Sequence, residues 1–393
     1  MFNRREFLKR SSLLSLAPTV PAFLANTARA AEAKPDDRIL VVIQLDGGND
    51  GINTVVPFAD EGYAKYRKEL KLPTDRLIKL NDEVGLHQAM GDFGKLWETD
   101  RLAVVQGAGY PNPNRSHDVS MAIWQTCSFD PQEHNTHGWL GRALDQVQRP
   151  QDGSPAAMLV GDEQPPIAIR GRRSVAAAID RIDEFTLPES AVTSKAGPDV
   201  SANDLTSFVQ RSSVDAFATA ERLSELAAKP DAGASYPNTT LANRLSLISR
   251  LIKSGFGTRV FYAVQSGYDT HAAQLPSHFR LLRDLSSGVF AFLEDLRVSK
   301  LDDRVTVLCF SEFGRRVKEN ASLGTDHGTA GPVFLVGPGI NAGLHSKTPN
   351  LNNLAKGDLK MSVDFRQIYS SVLSEWLEIP HNMEQKPLDL FDA

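Results

Sequence analysis

Hydrophobic residues recur along the chain in two rhythms. Four runs, Arg38 to Leu45, Arg101 to Gln106, Arg259 to Val264 and Val305 to Phe310, are apolar almost without interruption. Each is rich in β-branched residues and too short to bury itself as a helix. Such runs predict strands covered on both faces, the kind found inside a parallel sheet. Pro332 to Val336, closed by Gly337-Pro338-Gly339, predicts another, and the segments around Met158 and Ile167 predict short ones. Helix-face spacing places helices over Glu61–Leu70, Leu86–Trp97, Gly138–Val147, Leu241–Ile252, Leu275–Leu296 and Ser362–Leu377. Strands alternating with helices give an α/β fold.

Two stretches depart from this rhythm. Residues 174–237 are rich in Ala, Ser, Asp and Glu, with one long helix expected over Asn203–Ala228. This part predicts a helical insertion or cap packed on a single large domain. At the start, Asn3-Arg4-Arg5-Glu6-Phe7 precedes an apolar run, Leu13 to Leu24, and then Ala28-Arg29-Ala30. Charge, apolar run and small residues stand in the order of a twin-arginine export signal cleaved after Ala30. The expectation is a periplasmic or secreted domain of residues 31–393, whose export partner is the twin-arginine machinery.

Composition narrows the partners. The chain has 393 residues, 41% hydrophobic and 23% charged, a balance ordinary for a globular protein. After Ala30 no apolar stretch approaches the ~20 residues that span a bilayer, so no stable membrane insertion of the mature chain is expected. Net charge is −5, and because residues 1–30 carry +4 the remainder is −9. With no basic run or basic–aromatic stripe, nucleic acid is not an expected partner. Only Cys127 and Cys309 are present, and Cys309 inside a buried strand reads as a small hydrophobe.

The chemistry gathers where strands end. Asp46 closes the first strand before Gly47-Gly48-Asn49-Asp50-Gly51, a loop with room for positive φ. It reads as either a turn aspartate or a ligand. Ser116 and His117 follow the Pro/Gly-rich loop after the second strand. There Ser116 is a helix N-cap or a catalytic hydroxyl. Asp269 and His271, two apart beyond another strand, project the same way from an extended segment, as half of a metal site does. Glu312 and Arg315 follow Phe310, and Asp326-His327 lies in the loop returning to the sheet. Ligands of open α/β sheets sit beyond the carboxyl ends of the strands. By contrast His87, His134, His137, His278 and His345 have no comparable partners and read as core or surface residues.

These phrases, LDGGNDGINTVVP, NRSHDVSMAIWQT, GYDTHAAQ, SEFGR and TDHGTAGPVFLVGPG, carry a resemblance over nearly all of the sequence after the leader. The chain resembles the twin-arginine-exported domain-of-unknown-function 1501 family. More distantly it is similar to the alkaline phosphatase and sulfatase superfamily. That likeness implies a doubly wound, mostly parallel sheet with helices on both faces and one or two divalent metal ions. It implies Asp46, Asp269, His271, Glu312 and His327 as ligands, with Asp326 as a compensating one, because Phe313 stands where an imidazole ligand would. Ser116 lies near the nucleophile position, yet counting back from Trp124 puts His117 on it. Arg115 or Arg315 would offer a fork of donors to a tetrahedral anion. Mixed carboxylate and imidazole ligands suit zinc or manganese, and a carboxylate-rich subset would accept magnesium or calcium. The resulting expectation is a metal-dependent hydrolase of phosphate or sulfate esters, with a small-molecule or glycan ester as substrate. Its competitor is a non-catalytic protein of the same fold that binds a metal, a partner or a glycan. An acyl hydrolase using Ser116 and His327 lacks the Gly-x-Ser-x-Gly elbow.

Overall fold

The structure is a computed structural model that describes residues 38–148, 150, 152–174, 176–181, 219–226 and 234–392. The leader and most of the 174–237 segment lie outside the described residues. Within that segment, residues 219–226 are helical, inside the span expected for its long helix.

Among the described residues, nine strands form the main sheet: β1 Ile39–Asp46, β2 Leu102–Gly109, β3 Ala157–Val160, β4 Ala176–Ile179, β5 Val260–Ser266, β6 Val305–Phe310, β7 Gly331–Val336, β8 Gly343–His345 and β9 Val363–Asp364. Their order is β8-β2-β7-β6-β1-β5-β3-β4, with β9 beside β2. Every pairing is parallel except those of β7, which runs antiparallel to β2 and β6. The α/β architecture is therefore a mixed, mostly parallel sheet. Alternation along β1 shows why its sequence is apolar from Ile39 to Ile43. Val41 and Ile43 enter one core with helices Thr240–Lys253 and Gln274–Val298, while Leu40 and Val42 enter a second with Trp124, Phe365 and Tyr369. Helices thus cover both faces, and a strand buried on both sides is apolar at nearly every position, with the buried Gln44 paired to Gln125 and Tyr262.

The antiparallel β7 matters for function. Reversing it turns its amino end toward the edge where β1, β2, β5 and β6 have their carboxyl ends. The loop before Gly331 therefore arrives at the same edge as the loops after Asp46, Gly109, Ser266 and Phe310.

Several expected elements take other shapes. The helix expected over Leu86–Trp97 spans only Gly91–Glu98, because Leu86 pairs with Val55 and Ile78 in a small three-stranded sheet. Leu86, Met90 and Phe93 are all buried, so the spacing reported burial rather than conformation. Ile167–Ile169 is one 3-10 turn and not a strand. Pro165 and Pro166 precede it, and a proline donates no N–H to a sheet ladder. Helices Glu61–Tyr66 and Trp139–Leu144 are shorter than expected, and the closing helix begins at Phe365, where Asp364 and Gln367 form a capping box. Cys127 and Cys309 are both free.

Below the sheet edge, a polar network ties loops to helices. Arg67 and Asp50, both fully buried, form a bidentate ion pair, and Arg67 also donates to the carbonyl of Val317. Burial alone would raise the Asp50 carboxyl, but the charge and hydrogen bonds of Arg67 hold it down to about 2. Next to it His278 lies 3.0 Å from the Asn49 side-chain oxygen, and burial pushes its imidazole down to about 3. Burial likewise pushes His87 down to about 4. Both histidines are neutral in the fold and bind protons near pH 6.5 once unfolded. Their contribution to stability is complete above that value and declines as pH falls toward 4 and then 3. The urea midpoint is thus expected to drop between about pH 7 and about pH 4.5, ahead of carboxylate protonation. His278→Gln should flatten this limb, and equal midpoints at the two pH values would contradict the assignment.

Candidate metal centre

Three imidazoles and one carboxylate meet at the strand-end edge. His117 opens the helix His117–Thr126 after the loop from β2, Asp269 and His271 follow β5, and His327 precedes β7. His327 Nε2 lies 3.0 Å from His117 Nε2 and 2.8 Å from His271 Nε2. Asp269 Oδ1 lies 3.0 Å from His271 Nε2, 3.2 Å from His327 Nε2 and 3.5 Å from His117 Nε2.

The outer ring nitrogens decide what these atoms can do. His117 Nδ1 is 2.7 Å from Glu312 Oε1, which also accepts the Gly47 N–H at 3.1 Å. Glu312 is about 1% exposed, and Ser311 Oγ donates to its other oxygen. His327 Nδ1 is 2.8 Å from the carbonyl oxygen of Arg115. A carbonyl only accepts, so that nitrogen carries the proton. His271 Nδ1 faces Asp326 Oδ1 at 3.4 Å, and Asn320 holds the same carboxylate oxygen. With each Nδ1 directed at an oxygen, the Nε2 atoms of His117 and His271 each face His327 Nε2 and Asp269 Oδ1. Lone pairs at such distances repel unless a proton or a metal ion lies among them. Tetrahedral zinc with bonds of about 2.0–2.1 Å separates its ligands by about 3.3 Å. The five distances that involve His327 or Asp269 run from 2.8 to 3.5 Å around that value. Among the described residues His117, Asp269 and His327 form the group whose ligand atoms all lie within 4.8 Å of one another, so these three fit a divalent ion, with His271 beside His327 and Asp269.

At His117 a proton competes with a metal ion. The hydrogen bond to Glu312 raises His117 above the ordinary imidazole range despite its partial burial. Partial burial would raise Asp269, but the guanidinium of Arg315 holds it below the usual carboxylate range. Asp46 is raised by burial and by the neighbouring charge of Glu312, with the Gln44 amide its hydrogen-bond partner at 3.2 Å.

Of the residues singled out from the sequence, the structure brings Asp269, His271, His327 and His117 to the converging point. Glu312 and Asp326 stand one layer behind, orienting imidazoles rather than reaching the point themselves. Asp46 lies close enough to feel Glu312 and His117 but makes no hydrogen bond to any of the four convergent groups. Ser116 is an exposed N-cap whose hydroxyl makes no capping bond. Arg315 differs most from expectation. It is about 1% exposed, and its guanidinium donates to the carbonyls of Gly48 (2.7 Å), Thr325 (2.9 Å), Tyr268 (2.9 Å) and Gly47, and to Asp269 Oδ1 (2.6 Å). Its donors are committed to the protein, so it clamps the site loops instead of presenting a fork to a ligand. The clamp also explains Gly47 and Gly48, whose φ values are +116° and +78°. A Cβ on Gly47 would meet the Asp269 backbone, and one on Gly48 the Phe313 ring.

Residue-type reasoning missed the carbonyl of Arg115, Ser311 and Asn320. The first leaves no trace in a sequence, because any residue supplies a carbonyl. Ser311, adjacent to Glu312, carried a usable signal: a hydroxyl beside a buried carboxylate.

His117 offers a graded test of the second layer. Glu312→Gln keeps the shape but removes the acceptor charge behind His117, and zinc affinity is expected to fall about 10- to 100-fold. Competition with a chromogenic chelator measures it, and unchanged affinity would deny Glu312 that role.

Among solved structures, the chain is similar to the C-terminal periplasmic domain of EptC from Escherichia coli in complex with zinc, at 9% identity and a TM-score of 0.37, over 77% of this chain and 73% of that one. It is similar to a 2-O GAG sulfatase at 10% identity and a TM-score of 0.41, over 90% and 73%. It is also similar to the lipoteichoic acid synthase LtaP from Listeria monocytogenes at 11% identity and a TM-score of 0.34, over 91% and 79%. No curated protein matches. A family described as protein of unknown function (DUF1501) matches residues 37–382, and the chain belongs to that family.

Proposed function

We propose that the protein is an exported, metal-dependent hydrolase of phosphate or sulfate esters with one divalent ion at the convergent site. The observation that carries this reading is the grouping of His117, Asp269 and His327 ligand atoms within 4.8 Å of one another, with His271 Nε2 beside His327 and Asp269. Three imidazoles and one carboxylate favour zinc, with manganese next, over the oxygen-seeking magnesium and calcium. When bound, the ion supplies Lewis-acid polarisation of a phosphoryl or sulfuryl oxygen.

The chain's own residues divide the remaining work. Glu312 and the Arg115 carbonyl fix the ring planes of His117 and His327, so the ligand geometry exists before an ion arrives. Arg315 holds Asp269 ionised and locks the Gly47-Gly48 turn against the loop after β5. Asp46, held toward its neutral form beside Glu312, is the group suited to exchange a proton with substrate. Ser116, exposed immediately before His117, remains the candidate hydroxyl nucleophile. The twin-arginine-like segment at Asn3–Ala30 directs the folded domain, loaded with its ion, to the export machinery.

The test is zinc content of the purified chain together with turnover of a chromogenic phosphate ester and a chromogenic sulfate ester. About one zinc per chain with hydrolysis of either ester supports the reading. A non-catalytic protein of the same fold is the second reading, favoured by the committed donors of Arg315 and the uncoupled Ser116 hydroxyl. Full zinc occupancy without turnover of either ester would select it. Asp46→Asn is expected to lower kcat about 100-fold or more while leaving zinc content intact. A kcat within twofold of the parent would remove Asp46 from proton transfer.

A further inference from the structure

Beside the convergent point lies a charge imbalance that the hydrolase reading does not use. Asp358 is about 1% exposed, yet two guanidiniums converge on it from separate segments. Arg115 Nη2 binds Asp358 Oδ2, and Arg316 Nε lies 3.4 Å from Asp358 Oδ1, beyond hydrogen-bond contact. That oxygen has no hydrogen-bond partner. One buried carboxylate therefore faces two cations, and the exposed Asp326 carboxylate also lies near enough to Arg316 to feel its charge. The two arginine side chains are 41% and 35% exposed, so their outer edges reach solvent. Among the described residues, Arg115's guanidinium has Asp358 as its acceptor, while Arg316 also donates to the carbonyl of Lys356 at 2.7 Å. Several of their N–H groups remain for a ligand.

Position links this pair to the site. The carbonyl of Arg115 is the group that holds His327, two residues before His117, and Arg316 follows the clamp residue Arg315. The backbone N–H of Arg316 in turn donates to the carbonyl of Asp326, next to His327. Both guanidiniums are thus anchored at the lip of the convergent site rather than on a distant surface. Lys356, exposed on the same turn as Asp358, adds a third positive charge nearby.

We propose that Arg115 and Arg316, held apart and oriented by Asp358, form an oxyanion-binding lip that grips a second anionic group of the substrate, a phosphate or sulfate substituent distinct from the reacting one. The proposal rests on the ester-hydrolase reading for what that substrate is, but the lip's affinity for an oxyanion does not depend on a metal. A guanidinium pair with free outer donors matches tetrahedral oxyanions in charge and geometry. Multiply charged esters would then be preferred over singly charged ones.

The experiment uses the full chain stripped of metal by a chelator, titrated calorimetrically with inorganic phosphate. The metal-free parent is expected to bind phosphate with a steep salt dependence, and Arg316→Gln to weaken that binding about tenfold, with Arg316→Lys partly restoring it. Zinc content after reloading should match the parent in both variants, since neither touches a convergent ligand. In the zinc-loaded chain, the ratio of kcat/KM for a sugar bisphosphate to that for the monophosphate should fall about tenfold in Arg316→Gln. Equal phosphate binding by the parent and Arg316→Gln, or none by either, overturns the lip. So does a loss of zinc in Arg316→Gln, because the effect would then run through the metal site. Absent turnover with the binding difference intact defeats the hydrolase reading alone.

Discussion

Replacing His117 with alanine is expected to leave the chain folded but without its metal. The convergent point is built from His117, His271, His327 and Asp269, contributed by three separate loops. Deleting one imidazole leaves three donors and opens a face to water. Zinc content after desalting should fall from about one per chain to a trace, and ester hydrolysis should fall with it. Thermal unfolding supplies a second readout. A ligand that binds only the folded state adds about 4 kcal/mol at a thousand times its Kd, so zinc should raise the Tm of the metal-free parent by several degrees. The same addition should leave His117→Ala nearly unmoved. The helix His117–Thr126 does not depend on that imidazole, because its inner face is buried through Ser120, Ile123 and Trp124. A variant that retains full zinc and the full Tm response would show that the cation, if any, sits elsewhere.

How much of this site could be read from the sequence differs residue by residue. Asp46, Asp269, His271 and Glu312 were legible as strand-end residues because uninterrupted β-branched runs mark buried strands, and the residues just past them lie at a sheet edge. His327 was harder. Its place depends on β7 running antiparallel, and a strand buried on both faces reads the same in either direction. Glu312 and Asp326 were legible as carboxylates at the site but not as orienting groups, since residue type does not tell a ligand from the acceptor behind a ligand. Counting from Trp124 put His117 on the nucleophile position, and the structure starts the helix at His117 with its ring turned toward Glu312. The three-stranded sheet at Leu86 and the turn at Ile167 were misread for one shared reason: apolar spacing reports burial, and local pairing or proline decides conformation.

Arg315→Met and Arg315→Lys should both cost about 3–5 kcal/mol of unfolding free energy, the range for removing one partner of a buried charged network. The charge of the residue matters less here than its shape. The three nitrogens of one rigid plane reach the carbonyls of Gly47, Gly48, Tyr268 and Thr325 and the carboxylate of Asp269, which belong to loops separated by more than 200 residues of chain. Methionine fills the volume but leaves those carbonyls without a donor in a place water does not enter. Lysine restores the charge, yet an ammonium has three donors on one atom and cannot span acceptors on both sides of the fork. The two variants should therefore resemble each other, with the Lys variant little better than the Met variant, and zinc affinity should fall in both because Asp269 loses its anchor. Urea midpoints give the stability change and chelator competition the affinity. A lysine variant within about 0.5 kcal/mol of the parent would show that charge alone sufficed, and Arg315 would then be a counter-ion to Asp269 rather than the clamp that joins the loops after β1, β5 and β6.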